Sequence, residues 1–132
     1  MRLTLPALVT LAAVLVYYVI GFNVGRARVK YKIDAPAVTG NLDFERIYRV
    51  QMNTMEQFVA FLPALWLFAI YLSPLWASAF GVVWIVGRIV YAVGYTRAAA
   101  KRDVGFGITF IGFAVLWVGA AWGVIGALLQ GM

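Results

Sequence analysis

Long apolar segments alternate with short polar ones along this chain. Three stretches carry no charged residue, namely 3–25, 57–87 and 104–132. A helix of about 20 apolar residues crosses the hydrocarbon core of a bilayer, so each stretch is long enough to span it. The middle stretch exceeds one span and contains Ser73-Pro74, where proline disfavours a helical conformation in the residue before it. The pattern therefore predicts an all-α protein.

We expect a single domain over residues 1–132, built as an integral membrane bundle of four helices with up-down topology. The predicted helices run near 4–26, 43–72, 75–100 and 104–129. The segment 26–42 is the one stretch able to form a loop of any length, and it contains turn-like residues around Pro36 and Gly40. Asn41 or Asp43 is expected to cap the second helix.

Two polar stripes interrupt the apolar background, each confined to one face of a predicted helix. The first comprises Arg46, Arg49, Asn53 and Glu56, and the second comprises Arg88, Tyr91, Tyr95 and Arg102. At about 100° per residue, the first stripe occupies an arc of roughly 80° and the second an arc of roughly 60°. Ionisable groups in a span cost about 2.5–3.5 kcal/mol each, so they rarely persist without a partner or a ligand. The stripes indicate a polar site in the membrane.

The composition agrees with a membrane protein, because 64% of the residues are hydrophobic and only 12% are charged. The net charge of +6 would also suit nucleic acid, but the basic residues cluster in the first and third predicted loops. These residues are Arg26, Arg28, Lys30 and Lys32, then Arg97, Lys101 and Arg102. The positive-inside rule places both loops in the cytoplasm and both termini on the opposite side. We therefore expect a multi-pass membrane protein in contact with lipid, and no nucleic-acid partner.

Several kinds of chemistry are excluded because the chain contains no cysteine and no histidine. Disulfides, cysteine nucleophiles, histidine bases and Cys/His metal sites are therefore absent, and we expect no metal. The first apolar run exceeds 20 residues, and no small-x-small cleavage site precedes the basic cluster. It is interpreted as an uncleaved span rather than a secretory signal.

The charge balance of the two stripes favours an anionic ligand. Helices two and three place both stripes in the same half of the membrane, where four arginines accompany one carboxylate, Glu56. An alternative is a set of structural ion pairs, in which Glu56 binds Arg46, Arg49 or Arg88. One carboxylate cannot satisfy three guanidinium groups, although Arg46 and Arg102 could extend to the membrane surface.

Residues 44–56, FERIYRVQMNTME, resemble the FERxxRxQxNxxE signature of the MAPEG family, membrane-associated proteins in eicosanoid and glutathione metabolism. The segments 24–40 and 87–102 are similar to the microsomal glutathione S-transferase type 2 branch of that family. The similarity extends over roughly residues 20–107 and includes both stripes, which makes it more specific than a short motif. Two departures are Gln57, where the closest eukaryotic members carry an aromatic residue, and Pro63, one turn later than their proline. The second departure would shift the kink of the second helix, which affects the groove that the resemblance implies for a lipid substrate more than the polar site.

The resemblance implies a homotrimer that binds glutathione between neighbouring subunits. One subunit would supply six ligands, namely Arg49, Asn53, Glu56, Arg88, Tyr91 and Tyr95. Arg28 and Gln51 would reach in from the neighbour, and Gln51 does point roughly 140–200° away from the first stripe. Arg102 occupies the position of the family's catalytic arginine, which holds the sulfur as a thiolate.

The chemistry of glutathione agrees with this set of residues. Arginine suits its two carboxylates, and Glu56 suits its ammonium group. Lowering the pKa of a free thiol from about 8.5 by about two units requires roughly 2.7 kcal/mol. We therefore expect glutathione as co-substrate of a transferase acting on lipophilic electrophiles from the bilayer, with some reduction of lipid hydroperoxides.

Two other functions remain open. The first is a non-catalytic scaffold that binds lipid or glutathione, because one branch of the resembled family binds lipids and assists a partner enzyme. The second is a small exporter of cationic amphiphiles, which would also use four helices and an intramembrane glutamate. An exporter of that kind requires a carboxylate that is not outnumbered by arginines, so the charge balance disfavours it.

Overall fold

The structure is a computed structural model that describes residues 2–131. Its four long helices are α1 (Thr4–Tyr31), α2 (Leu42–Tyr71), α3 (Pro74–Arg97) and α4 (Asp103–Leu129), and a 3₁₀ turn, Ala99–Arg102, joins α3 to α4. Each of the four spans is long and apolar enough to cross a membrane, and residues 2–131 contain no strand. The predicted all-α fold with four spans is confirmed.

α1 is longer than the sequence predicts, because it continues past residue 26 and ends at Tyr31. Arginine and lysine are good helix formers, and the segment 26–31 contains no helix breaker. The helix ends where Lys32 adopts a left-handed conformation with φ of 57°. The prediction of a loop beginning at Arg26 was wrong. Arg26, Arg28 and Lys30 instead project from the last turns of α1.

The starts of α2 and α3 are set by capping side chains. The Asn41 side chain accepts a hydrogen bond of 3.1 Å from the backbone N–H of Phe44, as the capping prediction requires. The Ser73 hydroxyl accepts one of 3.2 Å from Trp76 N–H, with proline in the first turn of α3. Such caps satisfy amides that have no partner inside the helix. The Ser73 cap lets α3 begin at Pro74, with only two residues between it and the end of α2 at Tyr71.

α2 and α3 occupy the centre of the bundle, with α1 packed on one side of them and α4 on the other. The apolar core lies in the half nearer the α2–α3 connection. There Phe61 and Trp84 stack face to face, with ring centroids 3.9 Å apart and an angle of 7° between the ring planes. Both side chains are fully buried. The other half of the bundle interior holds the buried side chains of Thr54, Arg88 and Thr109 beside two smaller apolar clusters.

α3 and α4 approach each other most closely where glycine faces the opposite backbone. A Cβ atom on Gly105 of α4 would overlap the backbone of Tyr91. A Cβ atom on Gly87 of α3 would lie 2.5 Å from the backbone nitrogen of Thr109. Small residues permit such close approach of helices in a membrane. The contact places the start of α4 against the polar stripe of α3.

Candidate functional site

Arg88 is fully buried in α3 and links three helices. Its Nε donates to Thr109 Oγ1 of α4 at 3.1 Å, and its Nη1 donates to Asn53 Oδ1 of α2 at 2.6 Å. The guanidinium carbon lies 4.4 Å from the ring centroid of Tyr91. Neutral oxygen acceptors and an aromatic face therefore stabilise this buried charge. If the stripes were only a set of structural ion pairs, Glu56 would bind one of the stripe arginines. No such ion pair occurs within residues 2–131.

A cavity of about 400 Å³ opens between α2, α3 and the start of α4, in the half of the bundle that contains Arg88. Its wall comprises Arg49, Asn53, Tyr91, Tyr95, Arg102, Asp103 and Phe106. All of these except Asp103 and Phe106 belong to the two polar stripes. The structure therefore brings the stripes together around one open space, which we call the stripe cavity.

The wall of the stripe cavity combines aromatic and cationic groups. The rings of Tyr91 and Tyr95 pack edge to face, with centroids 5.4 Å apart and an angle of 84° between their planes. Arg49 and Arg102 contribute two guanidinium groups, against the single carboxylate of Asp103. Guanidinium groups bind carboxylates in a fork geometry, and a concave site concentrates the field of its charges. The cavity therefore favours an anionic ligand.

Arg102 reaches the cavity by a different route from the one the sequence predicts. The helical alignment treats it as part of the α3 stripe, but α3 ends before Ala98, which is extended. The 3₁₀ turn then folds back so closely that a Cβ atom on Gly94 would overlap the Lys101 carbonyl. The guanidinium carbon of Arg102 lies 5.5 Å from the ring centroid of Tyr95. Glycine at position 94 thus permits the turn that carries Arg102 over the cavity.

Three residues of the predicted stripes lie outside the cavity wall. Arg88 stands behind it, where its hydrogen bond orients Asn53. Glu56 is exposed on α2, about one turn beyond Asn53. Arg46 forms a salt bridge with Asp43 in the first turns of α2. The carboxylate that lines the cavity is therefore that of Asp103 and not that of Glu56.

Arg28 and Gln51, expected to act on a neighbouring subunit's ligand, lie outside the stripe cavity of their own subunit. Arg28 Nη1 donates to the carbonyl oxygens of Ile33 at 3.2 Å and Ala37 at 2.7 Å, so it stabilises the segment between α1 and α2. The Gln51 side chain packs against Gly21 of α1, where a Cβ atom would lie 2.9 Å from Gln51 Nε2. That Arg28 and Gln51 bind glutathione in a neighbouring subunit stays a prediction.

The structure adds Thr109, Asp103 and Phe106 to the residues found from the sequence. Thr109 Oγ1 accepts from Arg88 and donates to the Gly105 carbonyl oxygen at 2.9 Å. Sequence signals could have identified two of these three residues. Thr109 is a polar residue in a charge-free run, and Asp103 is the only acidic residue after Glu56. Phe106 has no comparable signal among the many aromatic residues.

Comparison with known proteins shows the family to which the chain belongs. The MAPEG family model matches residues 6–122. An uncharacterized protein of Synechocystis is 53% identical over 125 residues, which cover 95% of this chain and 91% of the relative. Human microsomal glutathione S-transferase 2 is 40% identical over 108 residues, covering 82% and 74%. Leukotriene C4 synthase of Cavia porcellus is 38% identical over 101 residues, covering 76% and 67%. The chain is therefore an integral, multi-pass membrane protein that belongs to the MAPEG family.

Proposed function

We propose that this protein is a glutathione transferase that binds glutathione in the stripe cavity and activates it as a thiolate. The observation that carries the proposal is the convergence of Arg49, Asn53, Tyr91, Tyr95 and Arg102 on one cavity. The relatives named microsomal glutathione S-transferase 2 support the same reaction class.

The size and charge of the cavity suit glutathione. A volume of about 400 Å³ lies within the range of small-molecule sites, roughly 300–1,000 Å³. Glutathione carries two carboxylates and one ammonium group, so its thiol form has one net negative charge. Arg49 and Arg102 match the carboxylate and thiolate charges, and the tyrosine hydroxyls can donate to carboxylate oxygens. The ammonium group pairs with Glu56, or with Asp103 in the cavity wall.

Arg102 is proposed to stabilise the thiolate of glutathione. It does not remove the proton from the thiol. A guanidinium group stays protonated in proteins, so it cannot act as a base. The thiol proton passes to water at the open side of the cavity, and Arg102 lowers the free energy of the sulfur anion that remains. The thiolate then forms a carbon–sulfur bond with the electrophile, which loses its leaving group or takes up a proton. The protein supplies no nucleophile of its own.

The electrophile is proposed to arrive from the bilayer. An apolar cleft of about 400 Å³ lies between α2 and α4, and Val59, Pro63, Phe113 and Trp117 contribute to its walls. The cleft begins about one turn beyond Glu56, so an apolar compound in it would lie close to a ligand in the stripe cavity. A lipid hydroperoxide at the same place would be reduced to an alcohol, with glutathione oxidised to its sulfenic acid. A second glutathione would convert that product to the disulfide and water.

We also propose the homotrimer and the membrane orientation predicted from the sequence. The trimer is supported by the open stripe cavity and the exposure of Glu56, because a neighbouring subunit could complete the wall there. The orientation, with the connections after α1 and α3 in the cytoplasm, is supported by the basic residues at that end of the bundle. The α2–α3 connection has no charged residue.

Ultraviolet difference absorbance at the thiolate band tests the proposed function. Purified protein in detergent is titrated with glutathione at neutral pH, where free glutathione is mostly thiol. A saturable thiolate signal is expected. Saturable binding without a thiolate signal would instead favour the non-catalytic scaffold, and the absence of binding would contradict both functions.

A further inference from the structure

A second groove with polar walls lies on the other side of the bundle, between α1 and α3 with α2 as its floor. Two adjoining cavities of about 270 Å³ and about 260 Å³ run along it and share Asn23, Ile47 and Thr96. The cavity of about 270 Å³ includes an apolar slot, whose walls contain Ile20 and Val93. We call this feature the α1–α3 groove. None of the residues that line it takes part in the proposed glutathione site.

The charges at the outer end of the groove all have the same sign. Arg26 and Lys30 project from the last turns of α1, and Arg97 is the last residue of α3. Neither cavity has an acidic residue in its wall. Basic pockets between spans on one side of the membrane bind the head groups of anionic lipids. The outer end of the groove is therefore complementary to a phosphate group.

Two uncharged polar side chains lie between the basic end and the apolar slot. Asn23 is on α1 about 12 Å before the end of that helix at Tyr31, which places it within the span. Asn23 and Thr96 are both exposed, and neither side chain makes a hydrogen bond within residues 2–131. Polar groups that face hydrocarbon without a partner are unfavourable. The positive-inside rule explains the charges at the helix ends but does not explain Asn23, which lies within the span, or why Thr96 lines the same groove.

The groove faces the bilayer even if the proposed trimer forms. On α1, the residues Asn23, Arg26 and Lys30 lie roughly 140–200° around the helix from Gly21. Gly21 packs against Gln51, and both Arg28 and Gln51 belong to the face expected to contact a neighbouring subunit. The groove is thus on the opposite face of α1, where lipid is the available ligand.

We propose that the α1–α3 groove is a binding site for an anionic phospholipid. Arg26, Lys30 and Arg97 hold the phosphate of the head group. The Asn23 amide and the Thr96 hydroxyl donate to ester oxygens near the glycerol, at the depth where those oxygens lie below the phosphate. The first part of an acyl chain occupies the slot beside Val93. This order of charged, polar and apolar walls follows the order of groups along a phospholipid.

Native mass spectrometry of bound lipid tests the site. The protein is reconstituted in a bilayer of equal parts phosphatidylglycerol and phosphatidylcholine and then released in mild detergent. The mass of the released protein shows which lipid it retains and in what number. We expect one phosphatidylglycerol per subunit and little phosphatidylcholine. The double variant Lys30→Gln/Arg97→Gln should bind phosphatidylglycerol about 30-fold more weakly, because each basic side chain near an anionic surface contributes about 1 kcal/mol.

The matched control removes two charges from the same end of the protein but outside the groove. Lys32→Gln/Lys101→Gln should retain phosphatidylglycerol like the unmodified protein, because neither residue lines the groove. An equal loss in both double variants would show a general effect of surface charge and overturn the proposal. Equal retention of the two lipids by the unmodified protein would overturn it as well.

A second variant tests the slot without changing any charge. Val93 is 51% exposed, so Val93→Trp places a large ring in the slot without disturbing the bundle core. We expect phosphatidylglycerol to be lost from Val93→Trp but retained in Val86→Trp, which is similarly exposed on α3 and outside the groove. Retention in Val93→Trp would show that no acyl chain occupies the slot. The glutathione thiolate signal should be unchanged in all these variants, so the result is independent of the proposed enzymatic function.

Discussion

Asn53 accepts a hydrogen bond of 2.6 Å from the buried guanidinium of Arg88, and this contact joins the polar stripe of α2 to that of α3. Arg88 has no exposed surface, whereas Asn53 lies in the wall of the stripe cavity. Arg88 is thus a positioning residue within one subunit, because it fixes the amide orientation of Asn53 without lining the cavity itself. A ligand would meet an amide that is already oriented, which reduces the entropy lost on binding.

The first prediction concerns the strength of this contact. Asn53→Ala should lower the free energy of unfolding by about 1–3 kcal/mol in the absence of glutathione, since it leaves the buried Arg88 Nη1 with only its 3.4 Å contact to Thr54 Oγ1. Thermal and denaturant unfolding followed by circular dichroism in detergent measures the loss. The control is Asn23→Ala, which removes an exposed amide that makes no hydrogen bond and should leave stability unchanged or raise it, since alanine is the better helix former. Equal losses would mean that the Arg88–Asn53 hydrogen bond contributes nothing specific.

Arg102 provides the second prediction. If Arg102→Ala removes the whole expected stabilisation, the pKa of bound glutathione returns toward about 8.5, and the fraction of bound glutathione present as thiolate at pH 7 falls about 25-fold. Turnover should fall with it, and the pH at half-maximal activity should rise, while glutathione affinity changes only a few-fold. Lys101→Ala is the matched control, because it removes a cation from the same 3₁₀ turn outside the cavity wall. An unchanged turnover in Arg102→Ala would exclude the thiolate role.

The third prediction separates the two carboxylates that could bind the ammonium group of glutathione. Glu56→Gln should weaken glutathione binding about tenfold or more, because a charge-assisted hydrogen bond is lost. The same variant should bind a des-amino glutathione analogue as well as the unmodified protein does. Isothermal titration with both ligands gives the comparison. If Asp103→Asn shows this behaviour and Glu56→Gln does not, the ammonium group is bound by the carboxylate in the cavity wall.

The fourth prediction concerns the close contact between α3 and α4. Gly105→Ala should destabilise the protein by about 1–3 kcal/mol or more, because its Cβ atom would overlap the backbone of Tyr91. The displaced Tyr91 should also reduce glutathione binding. Gly107 is the matched control on the same helix, since a Cβ atom there meets no other atom within 4 Å. Gly107→Ala should leave stability unchanged or raise it by up to about 1 kcal/mol through helix propensity. Similar melting temperatures for the two variants would refute the steric explanation.

The ends of the helices show where sequence reasoning failed. The sequence predicts a loop from Arg26 onward, although arginine and lysine favour helices and no helix breaker lies between Arg26 and Lys32. Helix three was expected to continue to about residue 100, but it ends at Arg97. Both ends depend on single residues with non-helical backbone, Lys32 and Ala98, and neither residue type indicates such a conformation. The Asn41 cap was predictable because its side chain has a specific acceptor role.

The sequence by itself determined the four apolar spans and the two polar stripes, because the bilayer requires apolar helices and penalises every ionisable group placed among them. The tertiary structure decided which stripe residues share a cavity. It placed Arg88 behind Asn53, left Glu56 outside the wall, and brought Arg102 and Asp103 to the cavity through a turn. Helical periodicity defines only the direction of a side chain around its own axis. The distance between side chains on different helices depends on packing, here on the close approach that Gly105 and Gly87 allow between α3 and α4.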